Sequence, residues 1–214
     1  MIIFVKNDNL RYNAFSMVEI VDNGPPSPVE SALKEGRPIT IEMEQKTFGP
    51  AYQYMRTAGL TPLGVRDSAQ KWVQWHSEGA ITGERVEMLP TAEQAQTIMD
   101  SIDAGRYAEA LNILEEKDTV LENLVVQEEK VVKKKIATYE EQHPEVVAEY
   151  ERLSKQRIQF ARAGTSATKV IAEKVRNHPF RQFQEETSRR LNSLKQQKSR
   201  YGSCIKTLKG ETID

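Results

Sequence analysis

Cysteine, histidine and long apolar segments are scarce in this sequence. Its 214 residues include one cysteine, Cys204, and three histidines that lie far apart, His76, His143 and His178. A single thiol cannot form an internal disulfide, and histidines scattered in this way do not have the spacing of metal ligands. We therefore expect a protein of a reducing compartment with no metal centre and no other cofactor. Cys204 is expected to pack as a small apolar side chain.

Apolar runs of the length that a membrane span requires are also missing. No segment approaches the ~20 consecutive apolar residues needed to cross a bilayer, and the apolar stretch Ile2–Val5 is too short for a signal peptide. The composition, with 38% hydrophobic and 29% charged residues, is typical of proteins with long two-sided helices. We expect a protein that has no membrane partner, is not secreted by a signal peptide, and resides in the cytoplasm or in a soluble assembly.

Sequence motifs of common catalytic sites are missing as well. There is no glycine-rich phosphate loop, no dinucleotide-binding Gly-x-Gly-x-x-Gly and no His-Glu-x-x-His zinc motif. Glu140 and His143 have the Glu-x-x-His spacing of di-iron helical bundles, but such sites need a second motif and two further carboxylates. Four Ser-x-x-Lys pairs lack the companion motifs of serine acyl-enzymes. We predict no catalytic residues, and hence a protein that is not an enzyme.

Charge is present in quantity and is distributed unevenly. Residues 1–150 hold 15 Lys and Arg against 25 Asp and Glu, a net charge of −10, whereas residues 151–214 hold 15 against 6, a net charge of +9. A basic segment of this kind can contact nucleic acid or another anionic partner. It can also attract the acidic segment, within one molecule or between copies.

Residues 1–90 show mixed patterns that predict a small α+β domain. Runs of β-branched or alternating apolar residues predict strands. These are Ile2–Val5, Met17–Val21, Pro38–Met43 and Ala80–Met88. Short helices are predicted at Val29–Glu35, Ala51–Ala58 and Asp67–Ser77.

Residues 91–214 show the patterns of long amphipathic helices, so the chain as a whole is predicted to be mainly α. Thr91 begins a capping-box pattern for a helix that runs to about Asp103, and Thr119 begins a second one. Proline suits a first helical turn and disfavours helical geometry in the residue before it. We therefore predict helix breaks near Pro144 and Pro179, each of which follows a histidine.

The last helix has a heptad-like apolar stripe that predicts a helical hairpin or bundle seam. Phe180, Thr187, Leu194, Tyr201 and Leu208 lie seven residues apart. We predict burial on one side of this helix for Phe180, Phe183, Leu191, Leu194, Tyr201 and Ile205, with Arg189, Lys195 and Lys198 largely solvated.

Two sets of side chains are candidate partner contacts. The terminal helix carries cations that could neutralise phosphates: Arg181, Arg189, Arg190, Lys195, Lys198 and Arg200. Long cationic side chains also cover apolar seams and pair with acidic neighbours, which is the alternative role for this set. Trp72 and Trp75 are candidate interface aromatics, or else they anchor the core of the amino-terminal domain.

These patterns favour a structural or assembly protein that acts through protein–protein contacts of its helices. Self-association or membership of a larger complex, such as a multi-subunit or viral particle, would fit such a chain. The alternative is a nucleic-acid-binding protein that uses the basic segment 151–214.

Overall fold

The chain folds almost entirely into α-helices. The computed structural model describes residues 25–83, 85–163 and 167–211, together with two short strands nearer the amino terminus. The strands β1 (Phe4–Val5) and β2 (Ser16–Met17) pair antiparallel. All other regular structure in the described residues is helical, which confirms the predicted mainly α fold. None of the described helices combines the length and the apolar character that a bilayer span requires.

The described residues contain ten α-helices and one short 3-10 turn, Gly49–Ala51. The first six α-helices are α1 (Pro28–Glu35), α2 (Ile41–Phe48), α3 (Tyr52–Thr57), α4 (Pro62–Ser77), α5 (Arg85–Met88) and α6 (Ala92–Asp103). The remaining four are α7 (Tyr107–Gln142), α8 (Pro144–Ala163), α9 (Ala167–Arg176) and α10 (Pro179–Lys209).

The predicted α+β character of residues 1–90 is wrong for the described part of that segment. The predicted strand at 38–43 is instead the start of α2, because the Thr40 side chain accepts a hydrogen bond from the Met43 amide and caps the helix. The predicted strand at 80–88 contains the short helix α5, preceded by glycines with positive φ at Gly79 and Gly83. The first two predicted strands overlap β1 and β2, and the rest of those segments lies outside the described residues.

Several predicted helix boundaries are confirmed. Thr91 and Gln94 form both hydrogen bonds of a capping box at the start of α6. Both histidines, His143 and His178, lie between helices, and α8 begins at Pro144 and α10 at Pro179. The capping pattern at Thr119 is misleading, because α7 runs through it without interruption. Apolar residues at helical spacing on both sides, such as Leu114 and Leu121, are fully buried and continue one stripe.

The chain divides into two compact units. Unit 1 consists of Met1–Glu115 and Tyr201–Asp214, and unit 2 of Glu116–Arg200. The predicted domain boundary at residue 90 therefore falls inside unit 1. Helices α7 and α10 each contribute residues to both units.

The core of unit 1 forms where α4 packs on α6 and where the end of α10 joins them. Trp72 is buried, and its ring meets that of Tyr201 edge-on at 5.8 Å. The Tyr201 hydroxyl donates to the Met88 carbonyl at 2.9 Å.

The backbone at Gly105 lies close to that at Gly36, also in unit 1. Gly105 has a φ of +74°, and a side chain there would come within 2.5 Å of the Gly36 carbonyl oxygen. Burial raises the pKa of Tyr107, the next aromatic along the chain, to about 12.

The core of unit 2 contains the predicted apolar face of α10. Leu191 and Leu194 are buried, as is Phe180, whereas Phe183 is half-buried. Tyr139 of α7 stacks on Phe183 with ring centroids 4.2 Å apart. The buried face predicted for α10 is confirmed in this unit. In unit 1, Tyr201 and Cys204 of the same helix are buried and Ile205 is half-buried.

Candidate anionic-partner interface

Three cations of α10 form ion pairs with carboxylates of α7 inside unit 2. The pairs are Arg190 with Glu128 (3.1 Å), Lys195 with Glu129 (2.7 Å) and Lys198 with Glu122 (2.7 Å). Near the start of α10, Phe180 stacks on Tyr139, close to the end of α7. Low residue numbers in α10 thus meet high numbers in α7, so the two helices pack antiparallel in this unit.

These ion pairs affect the titration of the groups that form them. The hydrogen bond from Lys195 lowers the pKa of Glu129, and the hydrogen bond to Glu122 raises the pKa of Lys198. A phosphate that approached either lysine would have to compete with a carboxylate already in contact. The pairs also join the acidic and basic segments of the chain within one molecule, which is one of the two outcomes that the charge distribution predicts.

The other three predicted cations of α10 are not brought together by the fold. Arg181 pairs with Glu185 of the same helix at 2.6 Å. Arg189 and Arg200 are exposed and, among the described residues, have no ion pair. They are separated by three helical turns, about 16 Å at 1.5 Å per residue. The six candidates therefore do not form a continuous free basic surface.

The two candidate interface aromatics have different environments. Trp72 belongs to the core of unit 1, with 6% of its surface exposed. Trp75, one turn later on α4, is 37% exposed. Of the two, a partner could reach only Trp75.

Free positive charge is concentrated instead on α8 and α9. The two helices are connected by residues 164–166 and pack against each other, with Leu153 and Val175 among the buried apolar side chains. We call residues 151–176 the α8–α9 hairpin. It contains seven cations and two acids, Glu151 and Glu173, so its net charge is 7 − 2 = +5. The cations are Arg152, Lys155, Arg157, Arg162, Lys169, Lys174 and Arg176.

All seven cations of the α8–α9 hairpin are exposed. Within the described part of the chain, the one ion pair that any of them forms is a long contact, 4.0 Å, between Lys155 and Glu151. Arg152, Lys155 and Arg162 follow each other at intervals of three and seven residues, which places them on one side of α8, away from buried Leu153. The hairpin therefore presents cations to solvent that few acidic side chains compensate.

The sequence does not separate the free cations of the α8–α9 hairpin from the paired cations of α10. Residues 151–176 contain seven cations and two acids, and α10 contains eight cations and two acids. Four of the α10 cations pair with carboxylates of α7 that lie more than 60 residues earlier in the chain: Arg190, Lys195, Lys198 and Lys209. The register of the two helices, which decides the pairing, cannot be read from either helix alone.

Unit 1 contains a polar groove between α3 and α4 in which charged side chains converge. It is lined by Gln53, Arg56, Thr57, Gly64, Asp67, Ser68, Gln70, Lys71 and Gln74. Arg56 pairs with Asp67 at 2.8 Å, and the hydrogen bond that Arg56 donates to Asp67 raises the pKa of Arg56. No group of three or more metal-ligating side chains occurs in the described ranges of the chain. The charges of the groove largely neutralise each other, and we assign no ligand to it.

Comparison with known proteins gives no relative from which a function could be transferred. No protein-family model matches the chain, and neither curated proteins nor solved structures include one with detectable similarity to it.

Proposed function

We propose that this protein is a non-enzymatic binding protein that holds an anionic macromolecule on the α8–α9 hairpin. The observation that carries the proposal is the set of seven exposed cations on α8 and α9, with one long ion pair among them. This retains the basic segment 151–214 as the binding region and moves the contacts from α10 to the hairpin.

Two physical arguments support the hairpin over α10. First, Lys195 and Lys198 each already contact a carboxylate at 2.7 Å. To bind a phosphate, each must give up that carboxylate, so the exchange contributes little to the free energy of binding. Second, a cation held in water gains from a polyanion by releasing the counterions condensed on it. Arg152, Arg157 and Arg162 meet the second condition.

The composition of the hairpin also favours anion binding. Four of its seven cations are arginines, whose planar guanidinium groups match phosphate, sulfate and carboxylate oxygens in a bidentate geometry. A cation present only to keep the protein soluble needs no such preference.

The test is retention of the purified protein on immobilised heparin, used as a general polyanion. The hairpin variant Arg152→Gln/Lys155→Gln/Arg162→Gln should elute at clearly lower salt than the wild type. The matched control is Lys133→Gln/Lys134→Gln/Lys135→Gln, which removes three exposed cations from α7 in the same unit. Equal elution of the two variants would refute the proposal, because net charge rather than the hairpin would then decide retention.

Protein–protein assembly through the helices is the second candidate function. It is supported by apolar side chains that remain exposed along α7, namely Val120, Val126 and Val131, which are 39–44% exposed. In unit 1, considered separately, Tyr54 and Trp75 are also exposed, at 75% and 37%. Exposed apolar residues of this size favour a partner surface when they cluster.

Light scattering of the purified protein tests this second function. If the α7 valines form an interface between copies, the mass should exceed that of one chain, 24.4 kDa, and Val120→Ser/Val131→Ser should restore the monomer mass. A monomer mass for the wild type at both low and high salt would exclude self-assembly through this surface.

A further inference from the structure

We infer that the anionic macromolecule on the α8–α9 hairpin is duplex nucleic acid, contacted through its phosphates. The inference rests on the proposed function and specifies its partner. It follows from the density of the exposed cations, from their chemical type, and from the side chains that accompany them.

The density of charge on the hairpin matches a duplex. Arg152 and Arg162 are ten residues apart on α8, which corresponds to about 15 Å along the helix. Duplex DNA carries one charge per ~1.7 Å of its axis, so about nine phosphates lie along the same distance. The hairpin carries seven cations in all, of which Arg152, Lys155 and Arg162 share one side of α8. A fully acidic extended peptide, at ~3.3–3.6 Å per residue, would offer only about four charges over this length.

The hairpin does not have the side chains that single-stranded nucleic acid requires. Proteins that hold single strands stack successive bases on aromatic rings. The described residues of the hairpin include one aromatic ring, Phe160, which is half-buried. Tyr150, just before the hairpin, packs on His178 and Phe180. No exposed ring is therefore present among the described residues of the hairpin to receive an unstacked base.

The hairpin also has too little exposed apolar surface for an anionic membrane. Helices that lie in a membrane interface insert a broad apolar face with Trp, Phe or Leu. In α8 and α9, the exposed large apolar side chains are Ile158 and Val170, while Leu153 and Val175 are buried inside the unit. A phosphate surface that is contacted from outside, as in a duplex, requires no insertion.

The exposed side of α8 presents groups that suit phosphates. Arg152, Lys155 and Arg162 lie on it, with the exposed side chain of Gln159 among them, and α8 packs on α9 along its other side. We expect the cations to contact phosphates, which fix the position of a protein on a duplex.

The experiment measures fluorescence anisotropy of a labelled duplex of about 30 base pairs, about three helical turns, with the full-length protein. A single strand of the same length and phosphatidylserine-containing vesicles are the competing probes. Salt is varied from about 0.05 M to about 0.2 M, because the slope of log K against log salt is about −0.9 per phosphate contact.

For the wild type we expect preference for the duplex and a slope between about −3 and about −6, which correspond to three and seven phosphate contacts. The variant Arg152→Gln/Lys155→Gln/Arg162→Gln, which removes the cations on one side of α8, should lose three contacts; this flattens the slope by about 2.7 and lowers the affinity more than about tenfold. The Lys133→Gln/Lys134→Gln/Lys135→Gln control should behave as the wild type. Circular dichroism spectra of both variants establish that they are folded.

The outcomes separate the duplex inference from the proposed function. Equal or stronger binding of the single strand or of vesicles, lost in the hairpin variant, would overturn the duplex inference and leave the proposed function intact. If the protein is retained on heparin but binds neither the duplex, the single strand nor the vesicles, the duplex inference is likewise overturned and the proposed function remains. Binding of the duplex that the hairpin variant does not weaken would overturn both.

Discussion

Glu44 of α2 holds the first turn of α4, and its removal gives the most direct test of the packing in unit 1. The side chain is fully buried. One carboxylate oxygen accepts a hydrogen bond from the Leu63 amide at 2.8 Å, and the other accepts one from the Thr61 hydroxyl at 3.0 Å. The Thr61 hydroxyl in turn accepts a bond from the Gly64 amide, so the two residues together satisfy free amides at the start of α4.

The size of the effect follows from what each substitution leaves behind. Glu44→Ala leaves the buried Leu63 amide without a partner, which costs about 1–3 kcal/mol, and also leaves a cavity. Removing a buried carboxylate returns part of its desolvation cost, so the two effects partly oppose each other. We expect the unpaired amide and the cavity to outweigh the gain, for a net loss of about 1–3 kcal/mol. Glu44→Gln can still accept the amide hydrogen bond and should lose less.

The dependence on pH has a definite sign. Burial raises the pKa of Glu44 above its ordinary value of 4.5, although the hydrogen bonds from Leu63 and Thr61 oppose this. The folded protein therefore binds a proton at Glu44 more readily than the unfolded chain does. Its contribution to stability is fully present below pH 4.5 and is lost as the pH rises through the raised value. Relative to the wild type, Glu44→Gln should thus gain stability as the pH increases above 4.5.

Urea unfolding followed by far-ultraviolet circular dichroism, repeated from acid to neutral pH, measures both effects. Glu42→Ala removes an exposed carboxylate from the same helix and should change the free energy of unfolding by less than about 0.5 kcal/mol. If Glu44→Ala is no less stable than this control, the hydrogen bonds to α4 do not have the role given to them here. A stability difference between Glu44→Gln and the wild type that does not vary with pH would contradict the raised pKa.

Three further predictions concern other parts of the fold. Leu194, fully buried in unit 2, should lose about 2–5 kcal/mol of stability on substitution by alanine, and a loss below about 1 kcal/mol in urea unfolding would argue against its place in the core. Gly105→Ala should lower the melting temperature because its positive φ and the nearby Gly36 carbonyl exclude a side chain, whereas Gly202→Ala, inside α10 with open space around it, should not. Lys195→Ala should raise the lowered pKa of the Glu129 carboxyl towards its ordinary value, as measured by a carbon NMR titration. About 1 M salt should raise the same pKa in the wild type, because it screens the ion pair. A pKa of Glu129 that neither change affects would show that the pair is not formed in solution.

The helices after residue 90 were predictable because their signals are local. The capping box at Thr91 and the prolines at 144 and 179 act within one helical turn, so the residues that decide the boundary are neighbours in the sequence. The capping pattern at Thr119 gave a false helix start, because a sequence that could cap a helix can also lie within one. The helix continues through Thr119 because the apolar residues on both sides of it, including Leu114 and Leu121, are buried along one stripe of α7.

The amino-terminal segment was harder to predict because its patterns are short. The alternation of apolar and polar residues over Ile39–Met43 fits a strand of five residues as well as it fits the first turn of a helix. What decides the structure is the Thr40 cap together with the burial of Glu44, and nothing in the sequence marks Glu44 as a buried residue. The position of the free cations was missed for a similar reason. Whether Lys198 is free or paired depends on Glu122, which lies 76 residues earlier in the chain.

The discontinuity of unit 1 has a consequence for biosynthesis. Tyr201 completes the contacts of Trp72 and of the Met88 carbonyl, and it lies 113 residues after Met88 in the chain. At ~5–20 residues per second, a ribosome needs about 6–23 s after adding Met88 before it adds this tyrosine. Throughout that interval, and while residues 201–211 remain inside the exit tunnel, the core of the nascent amino-terminal helices lacks the carboxy-terminal part of α10 that packs on it. Unit 2, being continuous in sequence, emerges complete before unit 1 can close.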